Sequence, residues 1–203
     1  MQILNPKVLY KFLKLPSFKL NIMLKIKDIF PIIKPLRNES DYYLKIKLLF
    51  EDREFVNNVC YWSTSGSKGS LIEIGLEELT GLIFEITVVA AAILYQQEII
   101  ISNNNVLEKQ GLPLFETDRW RPKINPLGYH VEFYDPIYYV EDKKDFEVYA
   151  GENNTTILFS SNAVVLHVVN HSVTFGFDVD NNLCYIRMQN MALNDEGFLE
   201  AIQ

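Results

Sequence analysis

The chain has 203 residues, of which 48% are hydrophobic, 13% aromatic and 22% charged, and a net charge of −7. A chain of this size can bury about 70% of its surface, so a core needs neither disulfides nor metal, and the composition excludes a disordered, collagen-like or coiled-coil body. Charge is uneven: residues 1–50 carry ten Lys/Arg against three Asp/Glu, net +7, and residues 51–203 carry nine against 23, net −14.

Asn5-Pro6 is a helix N-cap followed by proline at the first helical position, which predicts a short helix over 6–15, ended by Pro16. Lys7, Lys11 and Lys14 share one face, opposite Val8, Leu9, Phe12 and Leu13. Lysines interrupt every apolar stretch and no small-residue cleavage site follows, so no signal peptide is expected. Residues 18–27 alternate apolar and polar, the period of a strand with one wet face. Met23 is a second candidate start. After Pro31 and Pro35, strands are predicted over 43–50 and 55–62, then a flexible polar loop over 63–70. Residues 71–76 and 82–89 read as a hairpin around Glu77-Glu78-Leu79-Thr80-Gly81, in which Gly81 takes the positive φ. Residues 90–97 fit a short helix or a continued strand, and 99–101 a strand. The most apolar window, 81–102, contains Glu85, Gln96, Gln97 and Glu98, and its uncharged part is too short for stable membrane insertion.

Residues 103–128 hold Asn103-Asn104-Asn105, Gly111, Pro113, Pro122, Pro126 and Gly128 and read as an irregular connection between two halves. Beyond it, short strands are predicted near 129–134, 137–141, 145–150, 156–160, 163–169, 172–178 and 183–189, the last two joined by a turn at Asp180-Asn181-Asn182. Asn194 caps a short C-terminal helix, with Asp195 and Glu196 at its positive end. The fold class is α+β and β-dominated: antiparallel sheets built from hairpins, with a few short helices. The organisation is a basic N-terminal helix and strand (1–36), a first β subdomain (37–102), the connection (103–128) and a second β subdomain (129–203). A shift of 101 residues lays 71–89 on 172–190, with Gly75 on Gly176 and Leu82 on Leu183, but the apolar phases part after Glu85. Two identities do not establish a duplication.

Chemical motifs fail one by one. Cys60 and Cys184 sit in apolar strand-like runs and read as buried reduced thiols, which fits the cytoplasm. His167 and His171 have a metal spacing for a helix, but on a strand four residues span about 13 Å. Asp178-x-Asp180-x-Asn182 begins like a calcium loop and fails at Leu183 and Gln189, where glycine and glutamate are required. Gly66-Ser67-Lys68-Gly69-Ser70 lacks the spacing of a phosphate loop and the helix that follows one. There is no nucleophile elbow and no Cys–His pairing. The chain is expected not to be an enzyme and to use no cofactor or metal.

The densest polar-aromatic segment runs from Tyr129 to Tyr149. Its Asp135, Tyr138, Tyr139, Glu141, Asp142, Asp145 and Glu147 are the candidate partner-binding residues. Tyrosine gives large contact area at low entropy cost, and carboxylates beside it speed association with a basic partner. The bland alternative is strand alternation, tyrosines inward and acids to water. An acidic body repels nucleic-acid phosphates, so nucleic acid is not an expected partner.

The hairpin Leu71-Ile72-Glu73-Ile74 … Thr80-Gly81-Leu82-Ile83-Phe84-Glu85-Ile86-Thr87-Val88-Val89 resembles a segment of small bacterial immunity proteins. Val173-Thr174-Phe175-Gly176-Phe177-Asp178 … Leu183-Cys184-Tyr185-Ile186, with an acidic helix after it, resembles the same family. Such proteins are encoded beside polymorphic or contact-dependent toxins and neutralise them by binding. The resemblance implies a cytoplasmic, non-catalytic inhibitor of a cognate, basic toxin protein, and transfers no catalytic residue. The rival expectation is a structural or assembly module tethered through the basic N-terminus. A homo-oligomer through an exposed N-terminal strand edge stays open.

Overall fold

The computed structural model describes residues 23–40, 46–50, 59–65, 70–90, 94–95, 99, 106–118, 138–142 and 144–189. These contain fifteen strands, β1 to β15 in chain order, and no helix. The helices expected over 6–15 and after Asn194 lie outside the described residues. Where the sequence leaves helix or strand open, over 90–97, the described residues, Ala90, Leu94 and Tyr95, are in strands.

β1 (Ile26–Phe30) pairs antiparallel with β9 (Leu112–Phe115). The first sheet holds β2 (Arg37–Asn38), β3 (Ile46–Leu49), β4 (Val59–Ser65), β5 (Leu71–Glu77), β6 (Ile83–Ala90) and β10 (Tyr138–Asp142), in the order β10-β4-β5-β6-β3-β2. The second holds β7 (Leu94–Tyr95), β8 (Leu107–Gln110), β11 (Glu147–Ala150), β12 (Asn154–Leu158), β13 (Val164–Asn170), β14 (Val173–Asp178) and β15 (Leu183–Gln189), in the order β7-β11-β12-β15-β14-β13-β8. The sheets are mixed rather than purely antiparallel, because β10, β7 and β8 each join an edge in parallel.

Period-two alternation makes the strands and aims them. In β5, Ile72, Ile74 and Leu76 are fully buried while Glu73 and Glu77 are half-exposed. The inner faces of the two sheets meet in one core that draws Leu48, Trp62, Ile74 and Ile86 from the first and Ile157, Phe175 and Ile186 from the second. Aromatic rings cross the interface, with centroids 6.0 Å apart for Phe50–Phe175 and 5.9 Å for Trp62–Phe159. Both are tilted or edge-on, the geometry aromatic pairs prefer. Leu24 and Ile26, from the stretch 1–36, lie in this core. The stretch 103–128 is not irregular throughout: β8 and β9 fall inside it. Likewise β4 runs on to Ser65, into the expected loop over 63–70.

The two halves repeat. Each sheet has four antiparallel strands in one arrangement, β4-β5-β6-β3 and β13-β14-β15-β12, flanked on one side by an antiparallel strand, β2 or β11, and on the other by a parallel one, β10 or β8. In each central hairpin the ladder shifts register just after a glycine, between Gly75 and Leu76 and between Gly176 and Phe177. An aromatic ring from the next strand lies over that glycine: a Cβ on Gly75 would sit 2.6 Å from Phe84 Cζ, and one on Gly176 would collide with the Tyr185 ring. The ladders also explain why the sequence similarity drifts. Six residues separate the paired Leu76 and Ile83, but only five separate Phe177 and Leu183, so the offset drops from 101 to 100 across the turn.

Each half closes the other's hairpin. Ile26 N–H donates to Asn181 C=O at 2.9 Å and Leu183 N–H donates to Leu24 C=O at 2.8 Å, which lays the start of β1 across the 178–183 turn. Phe115 N–H donates to Gly81 C=O at 2.8 Å, which lays β9 across the 77–82 turn. Gly81 has φ 75, and a Cβ there would collide with the Phe115 carbonyl. Gly81→Ala is therefore expected to cost about 1–3 kcal/mol, from left-handed backbone and forced separation together. Asn181→Gly, at φ 64 in the other turn, should change stability by only a few tenths of that. Denaturant midpoints of the two variants check this.

Candidate functional site

Of the seven residues singled out from sequence, the side chains of Glu141, Asp142, Asp145 and Glu147 are described, and these do not share one surface. Asp135 lies outside the described residues. Tyr138 and Tyr139 are on β10, with side chains outside the description. Glu141 is exposed on β10, opposite Ser63 of β4. Asp142, the next residue, points the other way and is only 3% exposed. Two consecutive strand residues cannot both face water on one face, so Asp142 is corrected from the contact surface to the interior. The chain then folds back: Thr64 Oγ1 donates to Lys144 C=O at 2.6 Å and accepts from Lys144 N–H at 2.9 Å. Asp145 is exposed in this crossing, and Phe146 is buried against Phe159. Glu147 already belongs to β11 in the second sheet, half-buried, where the Tyr149 hydroxyl donates to it at 2.7 Å.

What the ladders assemble instead is a row across the outer face of the first sheet. Glu141 lies beside Ser63, Ser63 beside Glu73, Glu73 beside Thr87 and Thr87 beside Lys47. Glu85, two residues along β6 from Thr87, shares that face, and the Thr87 hydroxyl donates to it at 2.8 Å. Burial, and then the nearby Glu85 carboxylate, hold the Glu73 carboxyl above the ordinary carboxylate range. The signal for this was in the sequence: in Leu-Ile-Glu-Ile and Ile-Phe-Glu-Ile, each glutamate alternates with core isoleucines.

The corresponding outer face of the second sheet is filled by its own side chains. Glu108, His167, Gly176 and Tyr185 lie side by side on β8, β13, β14 and β15. The Tyr185 hydroxyl and His167 Nε2 share a 2.6 Å hydrogen bond, and their rings meet edge-on. Arg187 stacks over Tyr185 at 5.6 Å, donates from Nε to Thr156 Oγ1 at 3.2 Å, and donates from its NH2 group to Ile99 C=O at 2.9 Å. The first sheet has an apolar counterpart, Tyr61 edge-on to Phe84 with Gly75 between their strands. Burial pushes the Tyr185 phenol up to about 12 and the Cys184 thiol up to about 11. Burial also holds His167 below its usual value, with Glu108 pulling upward and Arg187 downward. His167 is 7% exposed and Tyr185 1%.

Other groups singled out from sequence have structural roles. Asp178 organises the second hairpin turn: it accepts from Asn182 N–H at 2.8 Å, Asp180 N–H at 3.0 Å and the Asn162 amide at 2.8 Å. Burial alone would raise this carboxyl, but these bonds outweigh it and hold it below its ordinary value. His171 sits in the β13–β14 turn with φ 50, beyond the strand that carries His167. No group of three metal-ligating side chains exists among the described residues. A cavity with room for about one water is lined by Met23, Leu24, Trp62, Lys144, Phe159 and Leu183. Burial lowers the Lys144 amine there, against the pull of Asp142, and Lys144 Nζ lies 3.6 Å from Met23 Sδ. Cys60 and Cys184 are buried thiols. No described helix is long and apolar enough to cross a membrane.

No protein-family model and no curated protein matches this sequence.

The His167 environment predicts a pH dependence. Its folded-state value lies below the ordinary 6.5, so at lower pH the unfolded chain binds a proton that the folded chain resists. Stability should therefore fall as pH drops below about 6.5 and level off below the folded-state value. His167→Phe, which restores the apolar pair of the first sheet, should flatten this limb. Thermal melts between pH 5 and 7.5 measure it, and a limb of unchanged depth in the variant would assign it to another group.

Proposed function

We propose that this chain is a non-catalytic binding protein that neutralises a basic protein partner, a cognate bacterial toxin, in the manner of the immunity proteins it resembles. The observation that carries this reading is the acidic row on the outer face of the first sheet, running from Glu73 and Glu85 to exposed Glu141 on β10. Carboxylates in such a row steer a basic partner toward the surface and raise its association rate. β10 is also the last strand of its sheet among the described residues, so its outer edge can accept an extended segment of a partner. Exposed Asp145 extends the same charge beyond the end of the strand. Binding of this kind needs neither cofactor nor metal. The same reading makes the protein cytoplasmic.

The test begins with a tagged pull-down from the native host. Recovery of a neighbouring-gene product at a one-to-one ratio, whose toxicity disappears on co-expression, is the expected result. Recovery of only a self-oligomer, or of no partner, would sink the reading. With the partner in hand, Glu141→Lys combined with Asp145→Lys should weaken affinity by at least about tenfold, mostly through association, and reduce its salt dependence. A change under about threefold with the salt dependence intact would move the contact surface elsewhere.

A further inference from the structure

One amine and one thioether meet at the seam between the sheets. Met23 precedes β1 and Lys144 follows β10, 121 positions apart in the chain. Lys144 Nζ lies 3.6 Å from Met23 Sδ. Main-chain bonds hold both ends of this contact. The Thr64 hydroxyl clasps Lys144 through its N–H and its C=O, and Leu183 N–H donates to the carbonyl of Leu24, next to Met23. The contact borders the small cavity, whose other walls are Leu24, Trp62, Phe159 and Leu183.

A thioether is a weak acceptor, and an ammonium carries three donors. Apolar walls and a thioether therefore suit a free amine better than an ammonium. Burial acts in the same sense: it holds Lys144 below the ordinary lysine range, against the pull of Asp142 on β10, Cys184 on β15 and Asp178 on β14. The free amine is the nucleophilic form. Of the described methionines, Met23 is half-buried and open to a small reagent, whereas Met188 is 1% exposed. Oxidation of an accessible methionine ordinarily ends at the sulfoxide, with water supplying the oxygen. Here the cavity has room for about one water, and an amine already stands against the sulfur.

We propose that Met23 and Lys144 form a modification site at which a hypohalous acid joins Sδ to Nζ in a sulfilimine. The sulfur takes the halogen from the acid, giving a halosulfonium and releasing hydroxide. Lys144 Nζ then attacks the sulfur: the S–N bond forms, the sulfur–halogen bond breaks and halide departs. The nitrogen loses two protons, one of them to hydroxide. Thioether, amine and hypohalous acid thus become sulfilimine, water and hydrogen halide. Sulfur is oxidised by two electrons and the halogen is reduced by two. The link ties the entry to β1, which closes the second hairpin turn, to the crossing that leads from β10 in the first sheet to β11 in the second.

Substoichiometric hypochlorous acid, added to the folded full chain at neutral pH, tests it. Mass spectrometry should find a product lighter than the chain by two hydrogen atoms, and digestion should give a linked peptide pair joining Met23 to Lys144. The folded chain should give at least about tenfold more of this pair than the same chain in urea, where only chance proximity remains. Lys144→Arg should lose the pair and divert Met23 to the sulfoxide, heavier by one oxygen atom. A native chain whose Met23 goes to the sulfoxide without the linked pair would overturn the proposal. So would a pair formed equally well in urea, or a Met23 link to another amine that persists undiminished in Lys144→Arg.

Discussion

The fold depends on two hairpin turns whose main-chain groups are closed from outside. The turn 77–82 receives Phe115 of β9, and the turn 178–183 receives Leu24 and Ile26 around the start of β1. Because β1 and β9 also pair with each other, each hairpin tip is tied to the opposite half through backbone hydrogen bonds rather than side chains alone. Such bonds fix position and register, which a sliding apolar interface does not. A sheet with one apolar face must bury that face against another layer. Here the two such faces are placed against each other by the crossed strands, and one core results. The residues at the crossing follow from that role. Gly81 has no side chain because the Phe115 carbonyl occupies the place, and Asp178 spends its carboxylate on the turn that β1 meets.

Much of this was legible from alternation. The strands of the central hairpins emerge close to where the sequence puts them, since Ile72, Ile74 and Leu76, or Phe175 and Phe177, can face only one way. The short edge strands β7 and β8 were less legible, whereas β10 emerges where a strand is expected, near 137–141. Parallel pairing of a few residues to a distant strand leaves no local mark, and β8 reads as Leu-Glu-Lys-Gln with all four residues exposed. The repeat was hidden by a single residue lost in the second turn, which puts any one offset out of phase on one side of it. The candidate surface was legible only in part. A cluster of tyrosines and acids along the chain does not say which acids share a face, and Asp142 and Glu147 part from Glu141 because one turns inward and the other enters a different sheet.

Two copies of one strand arrangement allow the halves to be compared at matched positions. Where the first sheet places Tyr61 edge-on to Phe84, the second places His167 edge-on to Tyr185, at centroid separations of 6.1 Å and 5.8 Å. The backbone niche is the same, including the glycine that makes room for the ring. The fold therefore accepts a Tyr–Phe pair at this position as well as the His–Tyr pair. A buried histidine that stays neutral also carries an unfavourable charging step that the apolar pair avoids.

The division of polarity between the outer faces follows the same logic. In the second sheet the polar groups are consumed locally: His167 by Tyr185, and Arg187 by the Tyr185 ring, Thr156 and the Ile99 carbonyl. A face whose donors and acceptors already meet one another has little left to give a partner. On the first sheet, burial and then the nearby Glu85 carboxylate raise the Glu73 carboxyl, and Lys47 lies farther along the same row beside Thr87. Under the proposed reading, a basic partner would meet Glu73, Glu85 and exposed Glu141 on one face of the first sheet, whereas on the second sheet His167 and Arg187 already have partners within the chain.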